Sequence, residues 1–284
     1  MSNPLPISAY IVARNEERNL PRVLESVSGW VAEVVVLLND TTDASASIAE
    51  AHGARVEYLQ WHGFRDTQNL ALQFVKHPWV LALDADEEIS IALRDEIIAF
   101  FSNGRDAQYT GARFPRKTWF LGRWILHGDW YPDKQLRLFK LDKGRWGGSP
   151  EHYKLELTGA CADLRGEMHH FSNPTIASHI GKISVFSDYF LKRQLEKGAA
   201  WSASAAVFRA VWRFVRAYVF RLGFLDGFPG LFVAVSTAYA TFVRYSRLYE
   251  QFHNVPPPVQ VAVGGLGGKH VQRPGGAGPG IGCG

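Results

Sequence analysis

Four short runs of apolar, β-branched residues recur at similar intervals early in the chain, at 7–13, 34–38, 55–59 and 79–83. Runs of this length bounded by polar residues mark strands buried on both faces. Between them lie stretches with helical spacing, at 17–27, 44–52 and 66–76. Asp43 is a plausible cap for the second of these, and Ser90 for a further helix reaching residue 101. Strands alternating with helices imply βαβ units around a parallel sheet. Residues 1–108 thus predict an α/β, doubly wound half with a mostly parallel sheet.

The pattern then changes. Strand-like pieces at 109–114, 135–140 and 153–157 are separated by Gly, Pro, Trp and charged residues, which predicts the far edge of the sheet together with binding loops over 109–180. Residues 176–197 are helical with mixed faces. Over 200–222, Arg209, Arg213 and Arg216 fall on one side of a helix, while Phe208, Val211, Trp212, Val215, Val219 and Leu222 are available to the other. A basic amphipathic helix with aromatics reads as binding an anionic membrane surface; the alternative is a helix docked on the globular part with its arginines solvated. An uncharged run at 227–243 precedes Arg244 and Arg247. It is barely long enough to cross a bilayer, so a shallow or re-entrant segment, or a packed helical hairpin, fits better than a span. This makes 181–250 a helical, membrane-associating region. The Pro- and Gly-rich stretch over 251–284 lacks periodicity and is expected to be disordered.

Composition narrows the classes. A chain of 284 residues with 46% hydrophobic and 20% charged residues is globular, with room for one good core and a smaller annex. The net charge is only +4, but basic residues gather with aromatics in the later half, which favours an anionic ligand or surface there. Cys161 and Cys283 are too few for a disulfide framework or a thiolate metal site. No basic segment followed by an apolar one opens the chain, so a cytosolic site is expected.

Polar clusters follow three of the strands. The fourth run ends in Asp84-Ala85-Asp86-Glu87-Glu88. Carboxylates gathered at a strand end cost stability unless a cation or ligand offsets them; otherwise this is a solvated acidic turn. Asp84 and Asp86, one residue apart, offer hard oxygen ligands for Mg²⁺ or Mn²⁺ carrying phosphate oxygens, while Glu87 and Glu88 shape the following turn. The first run ends in Arg14-Asn15-Glu16-Glu17 and the second in Asn39-Asp40-Thr41-Thr42-Asp43. Asp40 has the chemistry to accept from a base edge or a ribose. Ligands of open α/β sheets bind beyond the carboxyl ends of strands, so three polar strand ends on one rim predict a nucleotide pocket. No glycine-rich phosphate loop follows the first strand, which leaves phosphates to a metal and to basic side chains such as Arg65.

These three clusters, taken in order, resemble the donor-binding half of family 2 glycosyltransferases of the GT-A fold. The resemblance extends through Arg116-Lys117-Thr118-Trp119-Phe120-Leu121-Gly122, His127-Gly128-Asp129-Trp130-Tyr131-Pro132-Asp133, Gln135-Leu136-Arg137-Leu138-Phe139, His169-His170-Phe171 and Gly223-Phe224-Leu225-Asp226-Gly227. Those segments are similar to the bacterial branch that includes lipopolysaccharide-core glucosyltransferases. Two departures stand out. Asn39 and Thr41-Thr42 replace the usual start of the second motif, and Glu151-His152 stands where the branch often has His-Glu.

The resemblance implies an inverting, metal-dependent transfer of a hexose, with UDP-glucose as the expected donor. The acceptor would be lipopolysaccharide core or another envelope glycan at the cytosolic membrane face. Residues 1–108 would form the donor-binding half, the donor contacts being Arg14, Glu16, Asp40, Arg65 and Asp84 with Arg137 from beyond it, and Asp86 and Asp84 on Mg²⁺ or Mn²⁺. Residues 109–180 would bind the acceptor through Arg116, Trp130 and Tyr131 and carry the base, Asp133, with Asp129 and Glu151 as rivals. His169 and His170 lack a metal-site spacing. No nucleic-acid partner is expected. The competing readings are a polyprenyl-phosphate or peptide acceptor, a sugar-phosphate nucleotidyltransferase, and a catalytically inactive membrane-bound scaffold.

Overall fold

The computed structural model describes residues 3–149, 152–172 and 175–253. Its first part alternates strand and helix: β1 (Leu5–Ala13), α1 (Leu20–Val27), β2 (Val31–Leu38), α2 (Ser45–Ala51), β3 (Arg55–Tyr58), α3 (Phe64–Ala71) and β4 (Trp79–Asp84). The four strands lie in the order β3-β2-β1-β4, all parallel. Continuous apolar sequence makes this possible, because both faces of β1 are covered. Ile7, Ala9 and Ile11 pack under α1 and the later helix α4 (Ile91–Ser102), while Tyr10 on the opposite face packs with Val35, Val80 and Trp146. Chain order turns back between β1 and β4, which opens a crevice at their carboxyl ends.

Two helices differ from their sequence expectation. α1 begins at Leu20, not at residue 17, because the chain first makes a turn in which Asn15 takes φ 54° and Glu16 O receives the Asn19 and Leu20 N–H groups. α3 is shorter than expected and starts after Gly63, whose φ of 85° suits a residue without Cβ.

The chain continues with β5 (Glu87–Ile89), α4 (Ile91–Ser102), α5 (Arg105–Gln108), β6 (Gly111–Phe120), β7 (Arg123–Ile125), β8 (Asp133–Lys140), β9 (Gly144–Ser149), β10 (His152–Leu157), β11 (Cys161–Asp163) and β12 (Met168–His170). Ser90 caps α4 as its sequence suggested, accepting the Leu93 N–H at 3.2 Å. The later strands are not merely the far edge. β8 inserts antiparallel beside β4, and β6 lies antiparallel beside β8, so both are interior strands of one mixed sheet. β12 then joins β6 to β5, with His170 in register with Glu87. The α/β doubly wound architecture is therefore present, its parallel half extended by a mixed half.

Three helices close the described chain: α6 (Ile176–Glu196), α7 (Ala203–Val215) and α8 (Gly227–His253). α7 runs into a π turn, Arg216–Phe220, and a 3-10 turn, Gly223–Asp226, leads into α8. α8 folds back so tightly that a Cβ at Gly230 would collide with the carbonyl oxygen of Gly223. No single helix among the described residues is long and apolar enough to cross a membrane; α7 and α8 pass that test only as a pair bent by 72°.

Candidate functional site

The carboxyl ends of β2, β1 and β4 stand side by side, with Ala13 opposite Leu38 and Val12 opposite Asp84. The three polar clusters thus share one rim. Within the first two, side chains bind each other: Asn15 Oδ1 accepts the Thr42 N–H at 2.8 Å, and Asp43 accepts from the N–H groups of Glu17 and Ser45. Asp43 thereby anchors the start of α2.

Past β4 the acidic turn is more organised than a solvated loop. Glu87, read from sequence as a turn residue, opens β5 and is fully buried. Its carboxylate accepts from the Asp84 N–H, from Arg116 Nη1 and from Arg137 Nη2, each at 3.0 Å. Arg137 also donates to Asp84 Oδ2 at 2.6 Å, and Arg116 donates to Asp133 Oδ2 at 2.9 and 2.7 Å. Asp84, Arg137, Glu87, Arg116 and Asp133 therefore form one chain of alternating charge. Burial would lower the Arg137 pKa, but the Asp84 and Glu87 carboxylates hold it well above the ordinary arginine value.

A cleft of about 870 Å³ lies above this chain. Among the sequence candidates, Glu16, Asp84, Asp86, Arg116, Asp129 and Asp133 line it, as does Trp130. Burial alone would raise the Asp86 carboxyl, yet a hydrogen bond and the charge of His170, with Lys182 and Arg116, bring it below the usual carboxylate range. His170 Nε2 stands 3.5 Å from Asp86 Oδ2. Glu16 behaves oppositely: burial, then the charges of Asp86 and Asp43, push it up against the hydrogen bond from Asn19.

Other candidates sit elsewhere. Arg14 and Asp40 are exposed on the rim outside the cleft lining. Arg65 pairs with Asp66 and donates to Gly148 O at 3.1 Å. Arg137 is buried beneath the cleft, where it neutralises Asp84 and Glu87. Arg116 orients Asp133. Tyr131 donates to Glu167 at 2.8 Å, and burial with that bond pushes its pKa up to about 12. Trp130 packs edge-on to Phe120 and His179, so one side of it belongs to an aromatic cluster. Glu151 and residues 254–284 lie outside the described residues.

The largest departure concerns α7. Arg213 and Arg216, together with Arg221, turn inward onto the buried carboxylate of Asp129, at 2.7, 2.7 and 3.5 Å. Val207, Phe208, Val211 and Trp212 are exposed, and so is Arg209. The solvent face of this helix is thus mainly apolar, with Arg209 as its one exposed arginine. Asp129 is enclosed by these three ion pairs with its side chain 2% exposed, and Arg216 Nη2 donates to its Oδ1 at 2.7 Å; Asp133 is 36% exposed, and its Oδ1 accepts from Gln135 Nε2 at 2.7 Å.

Sequence reasoning missed Glu87, Lys182 and Tyr153, and left His170 unplaced. Lys182 and Tyr153 line the cleft, and burial beside Asp84 pushes Tyr153 up to about 12. His170 meets Asp86 because β12 pairs with β5, a contact between segments distant in sequence.

The donor set suits a hard divalent cation. Asp84 and Asp86 face the cleft with side chains 31% and 25% exposed. Asp84 Oδ1 has no partner among the described residues. Among those residues no group of three or more His, Cys, Asp or Glu could cage a metal ion. Two carboxylates completed by water and phosphate oxygens are what Mg²⁺ or Mn²⁺ commonly takes beside a diphosphate.

Comparison with known proteins fits this geometry. Residues 8–155 match the family model for glycosyl transferase family 2. The lipopolysaccharide core biosynthesis glycosyltransferase LpsC of Rhizobium meliloti is 28% identical over 255 residues, covering 87% of this chain and 93% of that protein. An uncharacterized glycosyltransferase of Rickettsia typhi is 27% identical over 253 residues, covering 86% and 87%. Among solved structures, Staphylococcus aureus TarS 1-349 in complex with UDP-GlcNAc aligns over 87% of this chain and 91% of that one, at 12% identity and a TM-score of 0.43. The match spans more than half of the chain and contains most of β1, all of β4 and the whole acidic network, so the protein belongs to glycosyl transferase family 2 and is a glycosyltransferase.

Proposed function

We propose that this glycosyltransferase inverts configuration, moving a hexose, glucose from UDP-glucose in the first instance, onto lipopolysaccharide core or a related envelope glycan. One observation carries the reading: Asp84 and Asp86 line a single cleft at the β1–β4 crevice together with Asp133, which is distant from them in sequence. The cleft has the volume of a small-molecule site, and nucleotides bind at such crevices. The LpsC relative supports the acceptor class, since its printed role is in lipopolysaccharide core biosynthesis.

The residues divide the work. Asp84 and Asp86 would hold Mg²⁺ or Mn²⁺ against the donor diphosphate, and the cation would offset the charge that develops on the leaving diphosphate. Lys182 adds a positive charge on the same side. Arg137 and Glu87 fix Asp84 from beneath. Asp133, aligned by Arg116 and Gln135, takes the acceptor hydroxyl proton at Oδ1 while that hydroxyl attacks the anomeric carbon and the diphosphate departs from the opposite face. One displacement inverts the anomeric centre.

The proposal places the enzyme peripherally at the cytosolic face of a membrane; the exposed Phe208 of α7, Phe220 of the π turn and Phe228 at the start of α8, at 70%, 66% and 65%, support attachment to an apolar surface. Apolar surface of this extent suits the boundary of a bilayer.

The test is direct. Purified protein is incubated with Mn²⁺ or Mg²⁺ and a panel of nucleotide sugars, and nucleoside diphosphate release is measured with and without bacterial membrane extract. Release from one donor, stimulated by the extract, is the expected result. Pyrophosphate release identifies nucleotidyl transfer instead, and silence across the panel refutes an active transferase.

A further inference from the structure

The arginines of the C-terminal helices outnumber their acids. Residues 203–253 contain arginines at 209, 213, 216, 221, 244 and 247 but only Asp226 and Glu250 as acids. Asp226 is buried and bound by the Leu126 and His127 N–H groups and by the His127 ring, while Glu250 lies beside Arg247. Asp129 engages Arg213, Arg216 and Arg221. Arg209 and Arg244 have no carboxylate partner among the described residues. Arg209 rests over the Tyr245 ring at 5.1 Å, and Arg244 Nε is buried without a hydrogen-bond partner.

These side chains enclose a second cavity. It measures about 530 Å³, and its lining includes Arg209, Arg213, Arg216, Arg244, Thr241 and Tyr245, with no acid. Phe208 and Trp212 line it as well and are 70% and 49% exposed, so it borders the apolar face. Arg213 and Arg244 also line the large cleft, which makes the two cavities neighbours. Burial, then the charges of Arg213 and Arg193, hold the Arg244 guanidinium below its ordinary value; the single Asp129 carboxylate is shared by Arg213, Arg216 and Arg221, which leaves the cluster with excess positive charge.

We infer that this cavity is an oxyanion pocket for a phosphate group, and that it holds the phosphate of a lipid-linked acceptor during transfer. The second half of that statement rests on the proposed function; the first does not. Guanidinium groups bind phosphate oxygens in pairs, and a phosphate relieves the repulsion among the arginines. The apolar rim suits a phosphate that arrives attached to a lipid.

The test uses the full-length protein with two probes: inorganic phosphate by calorimetry, and phosphatidylcholine vesicles with or without phosphatidic acid by sedimentation. Wild type is expected to bind phosphate and to prefer vesicles containing phosphatidic acid. R209Q and R244Q should each weaken both by about tenfold, the effect of one lost charge-assisted contact. Manganese-dependent UDP binding should persist in R209Q, whereas D86A should lose it and keep phosphate. Circular dichroism and melting check that R244Q is folded; should it misfold, R209Q alone decides. Phosphate binding that ignores both substitutions, or none at all, overturns the pocket. Variant-sensitive phosphate binding without a phosphatidic acid preference overturns the lipid-linked source. Wild type that binds phosphate but never UDP refutes the donor reading and leaves the pocket standing.

Discussion

Glu87 gives the sharpest test of how the site is built. Its carboxylate is inaccessible to solvent and is shared by Arg116, Arg137 and the Asp84 N–H. Arg137 is only 5% exposed. In Glu87→Ala, Arg137 keeps Asp84 and Arg116 keeps Asp133, but each loses its most buried partner. Removing one member of a buried ion network costs about 3–5 kcal/mol, because the charge left behind cannot recover its hydration. Glu87→Gln retains an acceptor oxygen and should cost roughly half as much, about 2 kcal/mol, by forfeiting the charge assistance of two bonds. In a chain of this size each kcal/mol moves Tm by about 2–4 °C, so the alanine variant should melt about 6–20 °C lower. Calorimetry with urea unfolding measures both variants. The same samples should bind manganese–UDP more weakly, since Arg137 is then free to draw Asp84 down from the cleft. An alanine variant within about 0.5 kcal/mol of wild type, a typical surface effect, would refute the idea that Glu87 organises the site.

Three further outcomes are expected. Asp86→Ala should abolish metal-dependent UDP binding while leaving Tm nearly unchanged; near-normal binding in a titration would remove Asp86 from the metal site. Asp133→Asn should bind donor normally and lose transfer by about 10²–10⁴-fold, the usual worth of a general base; full transfer would move that role elsewhere in the loop. Burial, as the leading cause, depresses His169 and His179 below their ordinary value of 6.5. The unfolded chain then binds more protons below that value, so stability should rise with pH through the window just under 6.5 and fall on acidification. Melting curves between neutral pH and pH 5 check this, and His179→Gln should flatten the profile.

The parts of the fold set by local pattern were legible in the sequence. Buried β1, β2 and β4 announced themselves as apolar runs, and Ser90 as a cap, because burial and capping act over a few residues. Register across the mixed half was not legible. Nothing near Glu87 announces that β8 and β6 will bring Arg137 and Arg116 to it, so a carboxylate at the centre of the network read as part of a turn. α7 failed for a related reason. Helical spacing correctly grouped Arg213 and Arg216 on one face, but which face meets solvent depends on Asp129, over eighty residues earlier and itself buried. Arg137 likewise read as a diphosphate ligand because its partners lie on another strand.

The fastening of Asp129 to the C-terminal helices has a thermodynamic corollary. The loop from His127 to Trp130, three residues before Asp133, is bound at one end by Asp226 and at the other by Arg213 and Arg216. Two processes that share such a joint obey reciprocity: whatever free energy one gains from ordering the joint, the other gains as well. On the proposed function, a surface that immobilised α7 would also order the chain leading to Asp133, and an occupied cleft would tighten the grip on that surface by the same factor. α7 and α8 supply part of the wall of the cleft, so severing the chain at residue 202 would remove Arg213, Ser236 and Arg244 from its lining.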